Sequence, residues 1–215
     1  MTETRSLPKI GDQAPDFTAQ TTQGEVTLST WSEGKWVVLF SHPADFTPVC
    51  STELTEFGRR YKEFEQRGVK LIGISVDSIH SHLAWHQNLG KILGVALPFP
   101  IIADSTRAVS ELYGMIHPGA SATVTVRALF VIDPKRVVRA LIYYPLNIGR
   151  NVDEVVRIID ALQTADKNGV ACPANWKPGD DVIVPAPLTT EAASARAMDK
   201  SLQVTDWYLS KKKLG

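Results

Sequence analysis

Apolar residues in this chain fall in short dense runs, and their period changes from segment to segment. Trp36-Val37-Val38-Leu39-Phe40 is continuously apolar, the pattern of a strand at 36–41 buried on both faces. Counting on from Cys50, Leu54, Phe57, Tyr61 and Phe64 recur at helical spacing, which predicts a helix from about Cys50 to Arg67 with Gly68 as its stop. Thr47 stands where an N-cap belongs and Pro48 where the first helical residue belongs. Lys70 to Val76 reads as a second buried strand, Ser78 to about Leu93 as a helix, and Pro100 to Ala103 as a short strand. Ser105 to Tyr113 is a short helix capped by Asp104 or Ser105. Upstream, Gly11 to Trp31 alternates apolar and polar residues around Thr21-Thr22-Gln23-Gly24, a hairpin pattern. Downstream, Thr123 to Ile132 and Val137 to Tyr144 flank the turn Asp133-Pro134-Lys135-Arg136 and form an antiparallel pair, and Asn151 to about Lys167 closes with a helix ended by Asn168-Gly169.

Strand-helix-strand-helix, finished by a hairpin and a helix, describes an α/β mixed sheet with helices on its faces, the order of a thioredoxin-like fold. After Gly169 the pattern changes. Residues 173 to 187 hold Pro173, Pro178, Pro185 and Pro187 with little periodicity, and only Thr189 to Lys200 reads as a further short helix. A tail of roughly 45 residues with no core of its own must lie on something else, and wrapping a second subunit is the simplest solution. Two regions are therefore expected: a domain at 1–168 and a dimerisation arm at 169–215.

The chain has 215 residues, 44% hydrophobic and 21% charged, values ordinary for a globular protein with a real core. Twenty-three basic residues balance twenty-three acidic ones, so no global field points to nucleic acid or membrane, and Lys211-Lys212-Lys213 reads as a solvated end. Met1-Thr2-Glu3-Thr4-Arg5 lacks the apolar core of a signal peptide, and no run approaches membrane-spanning length. Two cysteines do not make a disulfide framework. A cytoplasmic setting is the expectation, where a cysteine pair is redox-active or catalytic rather than structural.

Cys50 falls in the first turn of its helix, among backbone N–H groups without intrahelical partners, at the end that favours a thiolate. It also lies on the apolar stripe, so spacing alone leaves a nucleophile and a small buried core cysteine about even. Pro43-x-x-x-Thr47-x-x-Cys50 resembles the active-site signature of the peroxiredoxins, thiol-dependent peroxidases. The longer string Phe40-Ser41-His42-Pro43-Ala44-Asp45-Phe46-Thr47-Pro48-Val49-Cys50 is similar to their one-cysteine, or type-six, branch. The resemblance covers almost the whole chain, including Ala14-Pro15-Asp16-Phe17, His82-Leu83-Ala84-Trp85, Arg127 to Pro134, Gly149-Arg150-Asn151 and Pro173 to Asp180.

That resemblance implies a nucleophilic thiolate at Cys50 that attacks one peroxide oxygen while the other leaves. Acidifying the thiol does not suffice. Lowering a pKa from about 8.5 to about 6 raises the thiolate fraction roughly 30-fold. The accompanying loss of nucleophilicity removes a factor of roughly 13, leaving about twofold. The remaining rate must come from groups that hold the peroxide and stabilise the charge reaching its leaving oxygen. The resemblance assigns these to Thr47, otherwise a plain N-cap, and to Arg127, otherwise a surface arginine on a half-exposed strand. Pro43 would shield the thiolate or simply end a strand, and Arg150 resembles a supporting arginine. Glu53 either orients an arginine or is a solvated helix glutamate, and His42 either acts near the thiol or is a hydrogen-bonded structural histidine. His82 and His86 have the i, i+4 spacing of metal ligands, but no carboxylate or cysteine pattern completes a site, so helix surface or packing is expected. Gly90-x-x-x-Gly94 lacks the Lys-Ser/Thr of a phosphate loop, and the absence of Gly-x-Ser-x-Gly counts against the phospholipase activity of some type-six members.

Oxidation leaves Cys50 as a sulfenic acid that another thiol must recycle. Val170-Ala171-Cys172-Pro173 resembles the resolving site of the two-cysteine members, where the second thiol comes from the partner subunit; otherwise Cys172 is idle and an external thiol serves. Val204 and Ser210 flank Asp206-Trp207-Tyr208, where some microbial type-six members carry a cysteine pair. The expectation is a peroxidase for hydrogen peroxide and alkyl hydroperoxides needing no metal, haem or flavin, reduced by a thioredoxin-like protein or a small thiol. Dimer and decameric ring are both compatible with the arm. A disulfide oxidoreductase on the same fold would need Cys-x-x-Cys, where this chain has Thr47. A holdase chaperone activity is the other alternative.

Overall fold

A computed structural model describes residues 7–214; the polar segment 1–5 lies outside them. The chain divides into two compact units, Met1–Val152 and Asp153–Gly215. Among the described residues no helix is long and apolar enough to cross a membrane.

The first unit opens with the hairpin β1 (Thr18–Thr21) and β2 (Gly24–Thr27), followed by one turn of helix, α1 (Leu28–Trp31). Then come β3 (Trp36–Ser41), α2 (Pro48–Arg59), α3 (Tyr61–Gln66), β4 (Val69–Ser75) and α4 (Ile79–Leu93). It finishes with β5 (Ile101–Ala103), α5 (Ala108–Leu112), β6 (Arg127–Ile132) and β7 (Val138–Tyr144), before α6 (Val152–Asn168). Seven strands form one mixed sheet in the order β2-β1-β5-β4-β3-β6-β7. β3, β4 and β5 run parallel, while β6 pairs antiparallel with both β3 and β7. β3 and β6 are buried along their whole length, and β4 at every residue but Lys70, as their largely apolar runs predict. Phe17, Val37, Leu39, Ile72, Ile74, Tyr113 and Phe130 belong to the main core cluster.

Three sequence expectations need correction. The helix predicted from Cys50 to Arg67 begins at Pro48 and is broken at Arg60 (φ −97°, ψ 7°) into α2 and α3. Periodicity could not see the break, because Phe64 remains fully buried on the same stripe as Leu54 and Phe57. The helix predicted from Ser105 is shortened to five residues, since Arg107 takes a left-handed backbone at φ 63°. Asp104 still caps it, its carboxylate accepting from the backbone N–H of Val109 at 3.2 Å and Ser110 at 2.7 Å.

The third correction concerns the tail. It is not coreless. In the second unit β8 (Val182–Ile183), α7 (Thr190–Ala197), β9 (Gln203–Asp206) and β10 (Leu209–Lys212) follow α6, and the strands form a sheet in the order β8-β10-β9. Val170, Trp176 and Val182 make a small buried cluster beside it. The signal was weak because Gln203-Val204-Thr205-Asp206 is largely polar and only one residue of β10, Ser210, is buried.

Gly58 shows how closely α2 packs. A Cβ there would lie 2.8 Å from the Ala96 carbonyl oxygen and 2.9 Å from Val95 Cγ1. In an open helix interior Gly→Ala gains about 1 kcal/mol. Here the clash with backbone reverses the sign, and Gly58→Ala is expected to cost about 1–3 kcal/mol, read as a lower urea midpoint at unchanged slope.

Candidate active site

Two neighbouring strands and one helix bring the site residues together. β3 ends at Ser41 and hands the chain to the loop 42–47, which feeds α2; β6, paired with β3, begins at Arg127. Side chains stitch the two strand ends: Ser41 Oγ donates to the Val126 carbonyl at 2.6 Å and accepts from Ala128 N–H at 3.0 Å, while Thr125 Oγ1 donates to the His42 carbonyl at 2.7 Å. The loop and Arg127 are therefore fixed in one frame.

Cys50 lies in the first turn of α2, 0% exposed. Its burial matches the core-cysteine reading of its position, and a buried arginine reaches its sulfur. It shares the buried stripe with Leu54 and Phe57, and its sulfur accepts a hydrogen bond from Arg127 Nη1 at 3.3 Å. The same Nη1 donates to Glu53 Oε2 at 2.6 Å, and Nε and Nη2 both donate to the Leu146 carbonyl, at 3.1 and 2.6 Å. Arg150 approaches Glu53 from the other side, with Nε to Oε1 at 2.8 Å, Nη2 to Oε2 at 2.9 Å and its backbone N–H to Oε1 at 2.7 Å. Its remaining face covers the rings of Phe40 and Phe57. Arg127, Glu53 and Arg150 are 2, 3 and 6% exposed, so the alternatives of a surface arginine and a solvated glutamate are excluded by burial. Burial alone would raise the Glu53 carboxyl, but Arg150 and Arg127 outweigh it and hold it below the usual range. Two guanidiniums and one carboxylate leave a buried excess of one positive charge beside Cys50.

Thr47 occupies the N-cap with extended backbone (φ −109°, ψ 149°), yet its side chain makes no cap bond. Its hydroxyl donates instead to the Ala44 carbonyl at 2.8 Å, leaving the oxygen's lone pairs. Pro43 is buried in the same loop, and Phe46 sits on its outside with φ 55°. His42 is fully buried against Trp85, and its Nε2 bonds Asp45 Oδ1 at 2.9 Å. His82 closes the group: Nδ1 lies 3.0 Å from Asp45 Oδ1 and Nε2 3.1 Å from the Ile102 carbonyl.

His82 faces oxygen at both ring nitrogens, the Asp45 carboxylate at Nδ1 and the Ile102 carbonyl at Nε2. His42 donates from Nε2 and leaves Nδ1 bare. Burial pushes the His42 pKa down against the pull of Asp45, in keeping with a neutral ring. Burial disfavours the charge on Asp45, but the bonds to His42 and His82 prevail and its carboxyl is held low. The ligand atoms of His42, Asp45 and His82 lie within 4.8 Å of one another, a spacing compatible with a metal ion. A metal at His42 Nε2 would force the proton onto buried Nδ1, where no acceptor waits, so shared protons suit the group better. His86 takes no part; its Nε2 accepts from Leu97 N–H at 3.3 Å, which bears out packing for that pair member.

Cys172 stands in the second unit, partly buried, with Sγ donating to the Ala161 carbonyl at 3.5 Å. Burial pushes its thiol up, against the pull of Arg157. Sequence reasoning missed Asp45, Asp77 and the role of His82. Asp45 was visible inside the quoted string, and Asp77 stands at the strand–helix junction where an acidic residue reads as a cap.

Comparison with known proteins places this geometry. A family model described as the AhpC/TSA family matches residues 10–141, and the C-terminal domain of 1-Cys peroxiredoxin matches residues 161–200. A peroxiredoxin of Aquifex aeolicus is 54% identical over 222 residues, covering 99% of this chain and 100% of that protein. Peroxiredoxin 2 of Caldanaerobacter subterraneus is also 54% identical, over 97% and 94% of the two chains. Among solved structures, a yeast mitochondrial 1-Cys peroxiredoxin superposes with a TM-score of 0.87 at 43% identity, over 97% of this chain and 100% of that one. A cysteine-to-serine mutant of peroxiredoxin 6 from Arenicola marina gives 0.84 at 36% identity, over 96 and 98%.

Two outcomes are expected from the site's charges. In ¹⁵N NMR at neutral pH, His42 shows one protonated ring nitrogen, Nε2, and one unprotonated, Nδ1; protons on both would reverse the assignment. Glu53 and Asp45 have depressed folded values, so their stabilisation is complete above the ordinary carboxylate range and is lost as pH falls below about 4. Glu53→Gln should flatten part of that acid loss in urea titrations, and cost about 3–5 kcal/mol at neutral pH by leaving two buried cations unpaired.

Proposed function

The chain belongs to the AhpC/TSA family and is a peroxiredoxin, a thiol-dependent peroxidase, and from its site we propose that it reduces hydrogen peroxide and alkyl hydroperoxides through Cys50. The observation that carries the reading is the 3.3 Å bond from Arg127 Nη1 to the Cys50 sulfur inside a cluster with one surplus positive charge. A thiolate at Cys50 brings that cluster to neutrality, whereas a thiol leaves a buried cation uncompensated.

The proposed reaction uses what the side chains have left to give. Four of the five guanidinium hydrogens of Arg127 are taken by Cys50, Glu53 and, twice, Leu146, which leaves one on Nη2 for a peroxide oxygen. Thr47 has committed its hydrogen to Ala44, so its oxygen accepts the hydrogen of the peroxide. The thiolate attacks the near oxygen, the S–O bond forms and the O–O bond breaks. The far oxygen departs as alkoxide or hydroxide towards Arg127 and leaves as alcohol or water once protonated. Cys50 becomes the sulfenic acid. Pro43 keeps bulk water from the sulfur, Glu53 aligns both arginines, and Arg150 and His42 support the frame. Because Cys50 has no exposed surface, the loop 42–47 must give way to admit substrate.

Recycling consumes two thiols: one condenses with the sulfenic acid to a disulfide and water, and a second releases Cys50. Cys172 of a partner subunit or an external thiol supplies the first. The raised Cys172 thiol and its bond to Ala161 favour the external route, with a thioredoxin-like protein or small thiol as reductant in a cytoplasmic setting. For the yeast neighbour, resolution through glutathione/thioredoxin systems is described. Segment 169–215 is proposed as a homodimer arm, because Leu188 (98% exposed), Met198 and Tyr208 offer apolar surface for a second copy to cover.

Cys50→Ser is expected to abolish turnover. Arg127→Gln should lower kcat/KM for peroxide by about 100-fold or more. After one equivalent of peroxide, Cys172→Ser should retain turnover with a small thiol as reductant and form no disulfide-linked dimer on a non-reducing gel. A dimer that persists in that variant would remove Cys172 as a resolving thiol.

A further inference from the structure

Asp77 belongs to none of the roles above. It follows β4 and precedes α4, but it does not cap that helix; Ser78 does, its Oγ accepting from Ser81 N–H at 3.2 Å. Its carboxylate reaches the active-site loop instead. Oδ2 accepts the backbone N–H of Asp45 at 3.0 Å and the hydroxyl of Ser75 at 2.5 Å, and Ser75 Oγ in turn accepts from Asp77 N–H at 3.1 Å. Ser75 is fully buried, so Oδ2 is aimed by a fixed group.

The N–H that Asp77 holds belongs to the peptide joining Ala44 to Asp45. The carbonyl of that same planar, trans unit is the acceptor of the Thr47 hydroxyl at 2.8 Å. Clamping one edge of the plane fixes the direction of the other. Rotating the peptide would swing the Ala44 oxygen away from Thr47 and free its hydrogen to turn elsewhere. Beyond this peptide the Asp45 side chain is anchored between His42 and His82, so the unit is pinned on one side and steered on the other.

Resting on the peroxidase reading of Cys50 and Thr47, we infer that Asp77 is a positioning residue for peroxide reduction, acting through the Ala44–Asp45 peptide to hold the Thr47 hydroxyl as an acceptor. The Asp77 bonds run to the loop peptide and to Ser75, and its charge also faces His42. An effect that passes through Thr47 has a signature that general loosening of the site does not share.

The test is a double-mutant cycle on the full-length protein, with two readouts: kcat/KM for hydrogen peroxide, and the rate of Cys50 alkylation by iodoacetamide. Asp77→Ala should lower the first about tenfold or more, the scale of a hydrogen bond to a charged group, and leave the second unchanged. Asp77→Asn, which keeps a carbonyl acceptor, should recover most of the loss. In a Thr47→Val background Asp77→Ala should add no further loss. Ser75→Ala, which removes only the group aiming Oδ2, should show a smaller loss with the same dependence on Thr47, and it serves as the probe if Asp77→Ala does not fold. Full additivity with Thr47→Val, or equal losses in peroxide reduction and alkylation, overturns the assignment while leaving the peroxidase reading intact. A Thr47→Val protein as fast as wild type removes Thr47 from the reaction and the Asp77 assignment with it, whereas loss of the peroxidase reading itself would show as full turnover in Cys50→Ser.

Discussion

The ion cluster of Arg127, Glu53 and Arg150 is the constraint around which the rest of the site is arranged. Burying three charges is costly, and the pairing recovers that cost only if geometry and hydrogen bonds are complete. Here they nearly are. Glu53 takes bonds from both arginines, Leu146 and Ala128 lend backbone carbonyls, and two aromatic rings lie against Arg150. What remains is one unit of positive charge with one sulfur in reach. The protein spends folding stability on an incomplete set of charges, and under the proposed function a thiolate at Cys50 would complete it.

That bargain needs a rigid frame, and the sheet provides it. β3 and β6 are neighbours, so the loop leaving β3 and the arginine opening β6 start from paired strands. Ser41 and Thr125 lock the strand ends beyond their backbone ladder. The parallel neighbour β4 then delivers Ser75 and Asp77 to the other side of the same loop. Three adjacent strands thus each contribute a polar side chain at one edge, while their middles remain wholly apolar.

How much of this the sequence exposes depends on the range of the interaction. β3, β4 and β6 were legible because a strand buried on both faces is nearly continuously apolar, broken in β4 only at Lys70, a property of contiguous residues. Cys50, Thr47, Pro43 and Arg127 were singled out by a motif resemblance and not by spacing, and the structure gathers Cys50 and Arg127 into one contact. Glu53 and His42 were undecidable from local pattern, since their burial depends on partners 97 and 74 residues away for Glu53 and on Asp45 bridging to His82 for His42. The strands of the second unit escaped for the opposite reason: they are short and mostly exposed, so their residues are not constrained to alternate.

The loop 42–47 answers the remaining tension, between a sulfur sealed from solvent and a reaction that requires contact with peroxide. The sheet and α2 are held by apolar burial, but this loop is held chiefly by hydrogen bonds through Asp45, Asp77, Thr125 and Thr47. Its outermost residue, Phe46, is exposed and sits in a backbone region that side-chain-bearing residues disfavour. Under the proposed function, opening this segment would exchange protein hydrogen bonds for bonds to water and uncover Pro43 and the Trp85 face that His42 covers, while leaving the sheet and α2 intact. Polar anchoring therefore serves two ends. It fixes the loop's donors and acceptors against the sheet, and under the proposed function it makes this loop, rather than the core, the segment that admits peroxide.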